Sequence, residues 1–384
     1  MRRRNLSLVL VAYAITLLNN AFIIAPAPLV GTLTAELGLT NAQVGGLVSA
    51  FLLTIMLVQL PAGFLIDRFD NRRIIAIAVI ALALSAVIPV LVPTYPVLIG
   101  QRLLAGGLTA FIFVPLANMV TRAYYPDHAT PLGIFLAGPP SGMAVGLLLA
   151  SPASAAVGWP LAFSLFALLI PALLPFLLAA ARPFDLSGRG FTAKTYVTLF
   201  RNRQLWLVGL AFACTYSGYI FFVSWMPAYV SGPLGVDVVT AGIVAAIVPA
   251  MGIAARPLGG WSAAGPFSAD RRVPIALGFL GLAAVTASLL FLRGPAALLL
   301  LPAAGFLAQF PFSIYYVFGR SLLPPEFSGT AIAFLNTTSL IGGTVTPYAA
   351  GYLRDVTGGF TAALQMTLLI SILGPLLLLR LKPR

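Results

Sequence analysis

Charged residues are scarce in this chain of 384 residues. Asp, Glu, Lys and Arg make up 8% of it, against about 25% in a typical soluble domain. A water-exposed surface cannot be built from so few charges, so most of the surface must face lipid. The single cysteine, Cys214, excludes an intramolecular disulfide framework. Neither a cluster of metal ligands nor a nucleophile–base pair stands out, so we expect no metal, no organic cofactor and no enzymatic activity.

Acidic residues are also few, nine against 22 Lys and Arg, which gives a formal net charge of +13. A nucleic-acid-binding protein would gather its basic residues with aromatic ones on one solvated face. In this chain the basic residues instead occupy short gaps between apolar runs. The excess of positive charge is therefore not a sign of a nucleic-acid partner, and the expected surroundings are a lipid bilayer.

Long apolar runs fill the rest of the chain, of which 60% is hydrophobic. A helix needs about 20 apolar residues to cross the core of a bilayer. The runs do not alternate in polarity as the strands of a membrane β-barrel do. Twelve runs are predicted to be membrane-spanning helices, spans 1 to 12: 6–30, 42–66, 74–92, 97–120, 131–150, 159–181, 204–230, 238–262, 273–292, 296–319, 329–353 and 361–379.

The positions of the basic residues predict how these spans are oriented. With the N-terminus inside, 18 of the 22 Lys and Arg fall on the inside, whereas only Arg293 and Arg354 fall outside. We therefore expect both termini in the cytoplasm, in a prokaryotic inner membrane. Three arginines before the first run suggest a signal peptide, but that run is too long for one and no small-residue cleavage site follows. We interpret it as span 1.

The spans divide into two sets of six around a basic gap. Residues 1–181 are predicted to form an N-terminal six-helix bundle, 182–203 a cytoplasmic linker, and 204–384 a C-terminal six-helix bundle. Similar segments occur at the ends of spans 2 and 8, with Gly63 and Gly260 lying 197 positions apart. The predicted fold is an all-α membrane protein with two pseudo-symmetric halves, a layout in which transporters bind substrate at the midplane.

Residues 63–73 read Gly-Phe-Leu-Ile-Asp-Arg-Phe-Asp-Asn-Arg-Arg, directly after span 2. This segment resembles motif A of the major facilitator superfamily, G-x-L-a-D-R-x-G-R-R/K, in the loop where that family has it. Asp70 and Asn71 depart from the motif. The resemblance implies an alternating-access transporter whose motif residues control its conformational change. The residues kept from the motif are Gly63, Asp67, Arg68, Arg72 and Arg73.

Asp67 has a possible physical role as a latch. It follows span 2 on the side where span 11 is predicted to begin, near Gly329. The unpaired N–H groups at a helix N-terminus attract a carboxylate. A contact there would hold the two halves together on the inside and favour the outward-open state, as the resemblance also implies. The alternative is that this basic loop only fixes the orientation of the spans.

Two further segments resemble elements of the same family. Arg102 and Gly106 match its span-4 motif, R-x-x-x-G. Gly138 and Pro139 begin a partial match to the G-P-x-x-G element of its antiporters, although Ile134 replaces the upstream glycine. We assign Arg102, Gly138 and Pro139 to conformational change. The second element also keeps open an alternative function, the proton-coupled export of hydrophobic compounds.

The charges within the spans are positive. All nine acids are predicted to lie in loops or at membrane edges, so the sequence gives little support for a buried proton carrier. Two arginines, Arg102 and Arg256, lie inside spans with no acid to neutralise them. A buried guanidinium without a partner is costly, and an anionic substrate would supply the missing charge. We therefore expect a small anion, such as an inorganic oxyanion or a small carboxylate, as cargo.

Arg256 is the strongest candidate for contact with this anion. Its surroundings resemble span 8 of nitrate/nitrite porters, and more distantly the oxalate:formate exchanger, in which an arginine there holds the anion. Gln59 stands where nitrate porters carry a second arginine, so nitrate is only one candidate. Arg256 could instead extend to the cytoplasm or make a structural hydrogen bond. For Arg102, a structural or coupling role is favoured over substrate contact.

Polar residues within the spans complete the predicted site. Amide and hydroxyl groups suit a cavity that hydrogen-bonds a small anion, although hydrogen bonds between helices would also explain them. We expect a monomeric carrier that works by exchange or by facilitated diffusion. The predicted substrate-binding residues besides Arg256 are Asn19, Asn20, Gln59, Tyr216, Gln309 and Asn336.

Overall fold

The computed structural model describes residues 3–66, 69–124, 129–181, 199–292, 294–323 and 328–381. Within these ranges the regular structure is helical and no strand occurs. The helices of the first half are Arg3–Ile24 in span 1, Asn41–Ile66 in span 2, Asn71–Leu91 in span 3, Tyr95–Ala123 in span 4, Ala129–Leu136 and Gly138–Val157 in span 5, and Trp159–Leu169 and Leu174–Ala180 in span 6. A short helix, Val30–Leu37, connects spans 1 and 2.

The second half repeats this arrangement of six spans. Residues 182–198, most of the predicted linker, lie outside the described ranges. The helices are Arg203–Ser231 in span 7, Val238–Ala245, Ile247–Ala250 and Gly252–Ala264 in span 8, Arg272–Phe291 in span 9, Leu301–Gln309 and Pro311–Ser321 in span 10, Ser328–Thr357 in span 11, and Thr361–Leu378 in span 12.

Span 11 is the least apolar of the twelve. Among the described residues, eleven helical segments are long and apolar enough to cross a membrane. Ser328–Thr357 is not one of these eleven, but its 30 residues cover about 45 Å, which exceeds the thickness of the hydrocarbon core. Its polar side chains point into the bundle: Thr338 and Ser339 are buried. The predicted all-α fold with twelve spans is confirmed.

Prolines explain why four spans are interrupted. A proline has no backbone N–H to donate, and its ring clashes with the preceding turn. Spans 5, 6, 8 and 10 break near Pro139, Pro171, Pro249 and Pro311 respectively. Such breaks are tolerated in membranes where neighbouring helices satisfy the freed backbone groups.

The two halves meet most closely at one end of the bundle. Gly45 of span 2 lies so near the carbonyl oxygen of Pro347 in span 11 that a Cβ atom would overlap it, and Gly242 of span 8 meets Leu147 of span 5 in the same way. Small residues allow this close approach of helix backbones. We call this end, which carries the start of span 2 and the end of span 11, the opposite face.

The other end, which we call the basic face, carries the loops before spans 3 and 9. The Asp70 carboxylate accepts a 3.0 Å hydrogen bond from the backbone N–H of Arg72 and pairs with its guanidinium. Asp270 binds Arg272 in the same way. Burial raises the pKa of Asp70, but its hydrogen bonds with Arg72 outweigh this and lower the pKa overall. Asp70, one of the two residues that depart from motif A, is therefore the N-cap of span 3, and Asp270 makes the same contacts with an arginine at the start of span 9.

Candidate functional site

A cavity of about 340 Å³ lies between the two halves. Spans 1, 2, 4 and 5 line it from the first half, and spans 7, 8, 10 and 11 from the second. At its deep end Asn19 and Tyr219 are buried, and beyond them the two halves are in close contact at the opposite face. Its other end includes Gly133, Leu136 and Pro257, which are exposed. The cavity therefore opens toward the basic face.

The structure brings six of the seven predicted substrate-binding residues together at this cavity. The six lining residues are Asn19, Asn20, Gln59, Tyr216, Arg256 and Asn336. The seventh, Gln309, is fully buried and does not line the cavity. It lies behind Arg256 instead, at the end of the helix Leu301–Gln309, and hydrogen-bonds Arg256 and the backbone of span 8.

Among the described residues that line the cavity, Arg256 is the one that carries a charge. Its Nε donates a 3.2 Å hydrogen bond to Oε1 of Gln309, and its Cζ lies 4.7 Å from the centre of the Phe312 ring. In the described part of the chain no carboxylate pairs with it, since the two ion pairs there lie at the basic face. Arg256 therefore faces the cavity rather than the cytoplasm, and the cavity is electropositive.

A chain of hydrogen bonds joins the two halves across the cavity. The Tyr316 hydroxyl donates to Oδ1 of Asn336 at 3.2 Å, and Nδ2 of Asn336 donates to Oε1 of Gln59 at 3.1 Å. Gln59 belongs to span 2, whereas its two partners belong to spans 10 and 11. A substrate that bound these groups would therefore contact both halves at once.

The two asparagines of span 1 have local partners as well as a place on the cavity wall. Asn19 accepts a 3.1 Å hydrogen bond from the Thr109 hydroxyl of span 4. Asn20 donates to the carbonyl oxygen of Thr16, one turn earlier, at 2.9 Å. Both the predicted cavity contact and the alternative, a hydrogen bond between helices, are thus present in Asn19.

Aromatic rings form the wall around Arg256, and sequence reasoning missed most of them. Tyr216 and Tyr219 of span 7 pack with Phe312 of span 10, with ring centres 5.9 and 5.5 Å from it. Rings in a membrane span face lipid as readily as a cavity. Only the neighbouring polar residues in spans 7 and 10 could have indicated which rings turn inward.

Arg102 does not line the cavity and is fully buried. Its Nη1 donates a 2.7 Å hydrogen bond to the carbonyl oxygen of Phe22. In a regular helix that oxygen would bind the N–H of residue 26, but Pro26 has none. The guanidinium also lies 4.0 Å from the centre of the Phe163 ring. These contacts connect Arg102 to the end of span 1, and the structural or coupling role predicted for it stays a prediction.

The remaining residues assigned to conformational change lie in two regions. Pro139 lines the cavity, whereas Gly138 packs against Thr16 of span 1. Gly63 lies near the end of the span 2 helix. Arg72 is bound to Asp70, and Arg73 is exposed. Asp67 and Arg68 lie outside the described ranges, so their predicted roles remain predictions.

Comparison with known proteins identifies relatives along nearly the whole chain. The family model described as Major Facilitator Superfamily matches residues 9–347. The D-galactonate transporter of Escherichia coli O6:H1 is 25% identical, over 89% of this chain and 87% of its own. The cis,cis-muconate transport protein of Acinetobacter baylyi is 26% identical, over 90% and 87%. The nitrite extrusion protein of Bacillus subtilis is 25% identical, over 68% and 64%.

Solved structures support the fold. A bacterial homologue of the human lysosomal transporter Spinster, in an inward-facing and unoccupied conformation, superposes with a TM-score of 0.83. The alignment covers 98% of this chain and 96% of the homologue, at 16% sequence identity. At that identity the likeness shows a shared fold.

Proposed function

The chain belongs to the major facilitator superfamily of membrane transporters, and we propose that it moves a small monoanion, most favourably a hydroxylated monocarboxylate, by alternating access. One observation carries this proposal. Arg256 lines the central cavity without a carboxylate partner among the described residues. The positive charge of Arg256 in the cavity is therefore not balanced by these residues, and a bound monoanion would balance it.

The cost of a partly buried cation without a carboxylate partner gives this observation its force. A guanidinium removed from water loses hydration that its surroundings must replace. A ring face and one amide replace part of it at Arg256. The two terminal nitrogens remain available in the fork geometry that binds carboxylates and oxyanions with two parallel hydrogen bonds.

The rest of the cavity favours an organic acid that carries hydroxyl groups. Its volume of about 340 Å³ lies at the lower end of the range for small-molecule sites. Asn19, Gln59 and Asn336 offer hydrogen bonds, and the aromatic wall offers apolar contact to carbon-bound hydrogens. The names of the D-galactonate and cis,cis-muconate relatives are in keeping with an acid of this size.

Exchange is the transport mode that the charges favour. In the described spans, no carboxylate lines the cavity to carry a proton. If the cavity closed while empty, the Arg256 charge would be enclosed without a counterion, whereas closure around an anion would neutralise it. The occupied carrier should therefore change between its inward-open and outward-open states more readily than the empty one, which is the property of an antiporter.

The distribution of basic residues supports a prokaryotic inner-membrane location with both termini in the cytoplasm. The basic face would then be cytoplasmic, and the cavity would open inward. Residues 1–181 and 204–384 would act as the two moving halves and 182–203 as their linker. Because one chain supplies every wall of the cavity, a monomer suffices.

A second candidate, the export of hydrophobic compounds, draws support from the aromatic wall of Tyr216, Tyr219 and Phe312. The two candidates differ in what they need inside a vesicle. Proteoliposomes loaded with lactate, D-galactonate or nitrate should accumulate labelled D-galactonate by counterflow, and Arg256→Gln should abolish this. Accumulation of D-galactonate without an internal anion would contradict exchange, whereas efflux of tetraphenylphosphonium that survives Arg256→Gln would contradict the anion proposal.

A further inference from the structure

Gln309 lies directly behind Arg256, on the side away from the cavity. It is the last residue of the helix Leu301–Gln309, its side chain is fully buried, and it is not part of the cavity wall. We infer that Gln309 is a positioning residue, which fixes the guanidinium of Arg256 so that its two terminal nitrogens face the carboxylate of the substrate. This inference rests on the proposed function, because it assumes that Arg256 binds the anion.

Three hydrogen bonds fix the Gln309 amide. Its Oε1 accepts the 3.2 Å bond from Nε of Arg256. Its Nε2 donates to the carbonyl oxygens of Val248 and Pro249 at 3.1 and 3.2 Å. These carbonyl groups belong to the short helix Ile247–Ala250, which lies between the two longer helices of span 8. If the amide rotated, it would lose both hydrogen bonds that its Nε2 donates. Its Oε1 therefore stays directed at Nε of Arg256.

Glycine at position 252 makes room for this amide. A Cβ atom on Gly252 would overlap the end of the Gln309 side chain. Gly252 itself is buried at the start of the helix that carries Arg256. The arrangement therefore depends on Gly252, one helical turn before Arg256, and on the amide of Gln309 from span 10.

The fixed Nε bond decides which edge of the guanidinium reaches the cavity. A guanidinium can offer a carboxylate either the edge formed by Nε and one Nη or the edge formed by both Nη atoms. Gln309 occupies Nε, and Phe312 covers one face of the group. The edge formed by both Nη atoms is what remains for the substrate. An arginine held in this way loses little further conformational freedom on binding.

The inference predicts a coupling between the two residues that a packing role would not produce. The test measures the affinity of the purified full-length protein for D-galactonate by titration calorimetry. Gln309→Met keeps the volume but removes all three hydrogen bonds, and should weaken binding about tenfold. In an Arg256→Lys background the same change should weaken binding less than about twofold, because lysine has no Nε–H group for Gln309 to fix.

A second variant covers the case in which Gln309→Met does not fold. Gln309→Glu keeps the size of the side chain and places a carboxylate against the guanidinium, so it should weaken D-galactonate binding at least as much as Gln309→Met. Gln101→Met, which removes another buried amide outside the cavity, should leave the affinity unchanged.

The outcomes separate this inference from the proposed function. If Arg256→Lys binds D-galactonate as well as the wild-type protein does, the proposed function fails, and the inference fails with it. If Arg256→Lys weakens binding but Gln309→Met does so by the same factor in both backgrounds, only the positioning role fails. The positioning role also fails if Gln309→Glu binds D-galactonate like the wild-type protein.

Discussion

The carboxylate of Asp355, near the end of span 11, accepts hydrogen bonds from the backbone N–H and the side-chain amide of Asn41, at the start of span 2. Its second oxygen accepts a 2.8 Å bond from the N–H of Ala42. The first N–H groups of a helix have no partner within the helix and attract negative charge. Asp355 therefore caps span 2 from the other half of the protein, on the face where the cavity is closed.

We predict that Asp355→Asn opens the opposite face more often. The variant loses the charge that strengthens the contact with span 2, so the closed arrangement becomes less favourable. A cysteine introduced at Ser49, which is buried beneath this contact, reports the change in a Cys214→Ser background. A membrane-impermeant maleimide should label it several-fold faster in the Asp355→Asn variant.

Glu36 provides a matched control for that experiment. It is another acid at the opposite face, but its hydrogen-bond partner, Trp159, belongs to the same half. Glu36→Gln should therefore leave the labelling rate unchanged. Equal labelling of the Asp355→Asn and wild-type proteins would mean that Asp355 does not hold the two halves together.

Asp67 is predicted to act in the opposite direction at the basic face. This prediction comes from sequence alone, since Asp67 lies outside the described ranges. If its carboxylate caps span 11 when the basic face closes, Asp67→Asn should favour the state that opens at the basic face and should slow transport. Combining it with Asp355→Asn should restore part of the transport rate, because each change disfavours a different closed face. A transport rate lower in the double variant than in Asp67→Asn alone would contradict the idea that Asp67 and Asp355 stabilise opposite closed faces.

Much of the fold could be predicted because membrane spans follow from length and apolarity alone. The polar residues of the cavity, such as Asn19 and Gln59, could also be predicted. A polar side chain inside an apolar run is costly in a membrane and usually has a functional role. The prolines that break spans 5 and 10 are visible in the sequence, but the direction in which the chain continues after a break is not. For this reason the sequence predicts Gln309 in the cavity wall, whereas the structure has it behind Arg256.

Contacts between distant parts of the chain were beyond the sequence. Asn41 and Asp355 are 314 positions apart, and the pairing depends on how two helix ends meet. The different surroundings of Arg102 and Arg256 could not be predicted from the sequence either. Both are arginines in apolar runs, and only the rotation of each helix decides that the first meets the carbonyl oxygen of Phe22 and the second meets a cavity.

We predict that the two arginines respond differently to lysine. Arg256→Lys loses the planar fork and the bond to Gln309, so the affinity for D-galactonate should fall about tenfold or more. Arg102→Lys leaves the cavity intact but loses the fit to Phe22, so it should lower the midpoint of thermal unfolding and leave affinity nearly unchanged. Titration calorimetry and thermal unfolding of both variants check this. Equal and small effects on affinity would contradict a bidentate anion site at Arg256.

Two glycines of the helix Gly252–Ala264 allow a matched test of the space behind Arg256. A Cβ atom at Gly252 would overlap the Gln309 amide, whereas at Gly260 it would lie 3.5 Å from Cβ of Ser313, an ordinary contact. We predict that Gly252→Ala displaces the amide from Nε of Arg256 and weakens D-galactonate binding several-fold. Gly260→Ala should have little effect, although both changes add one methyl group to the same helix.

The comparison of these two variants removes the general effect of adding alanine to a membrane helix. Binding is measured by titration calorimetry under the same detergent conditions, with thermal unfolding as a check that both variants fold. If Gly252→Ala binds D-galactonate as tightly as Gly260→Ala does, the space at position 252 is not needed for the anion site. If both variants lose affinity equally, the helix as a whole is sensitive to substitution. Only a loss confined to Gly252→Ala fits an amide that must occupy this space to hold the guanidinium.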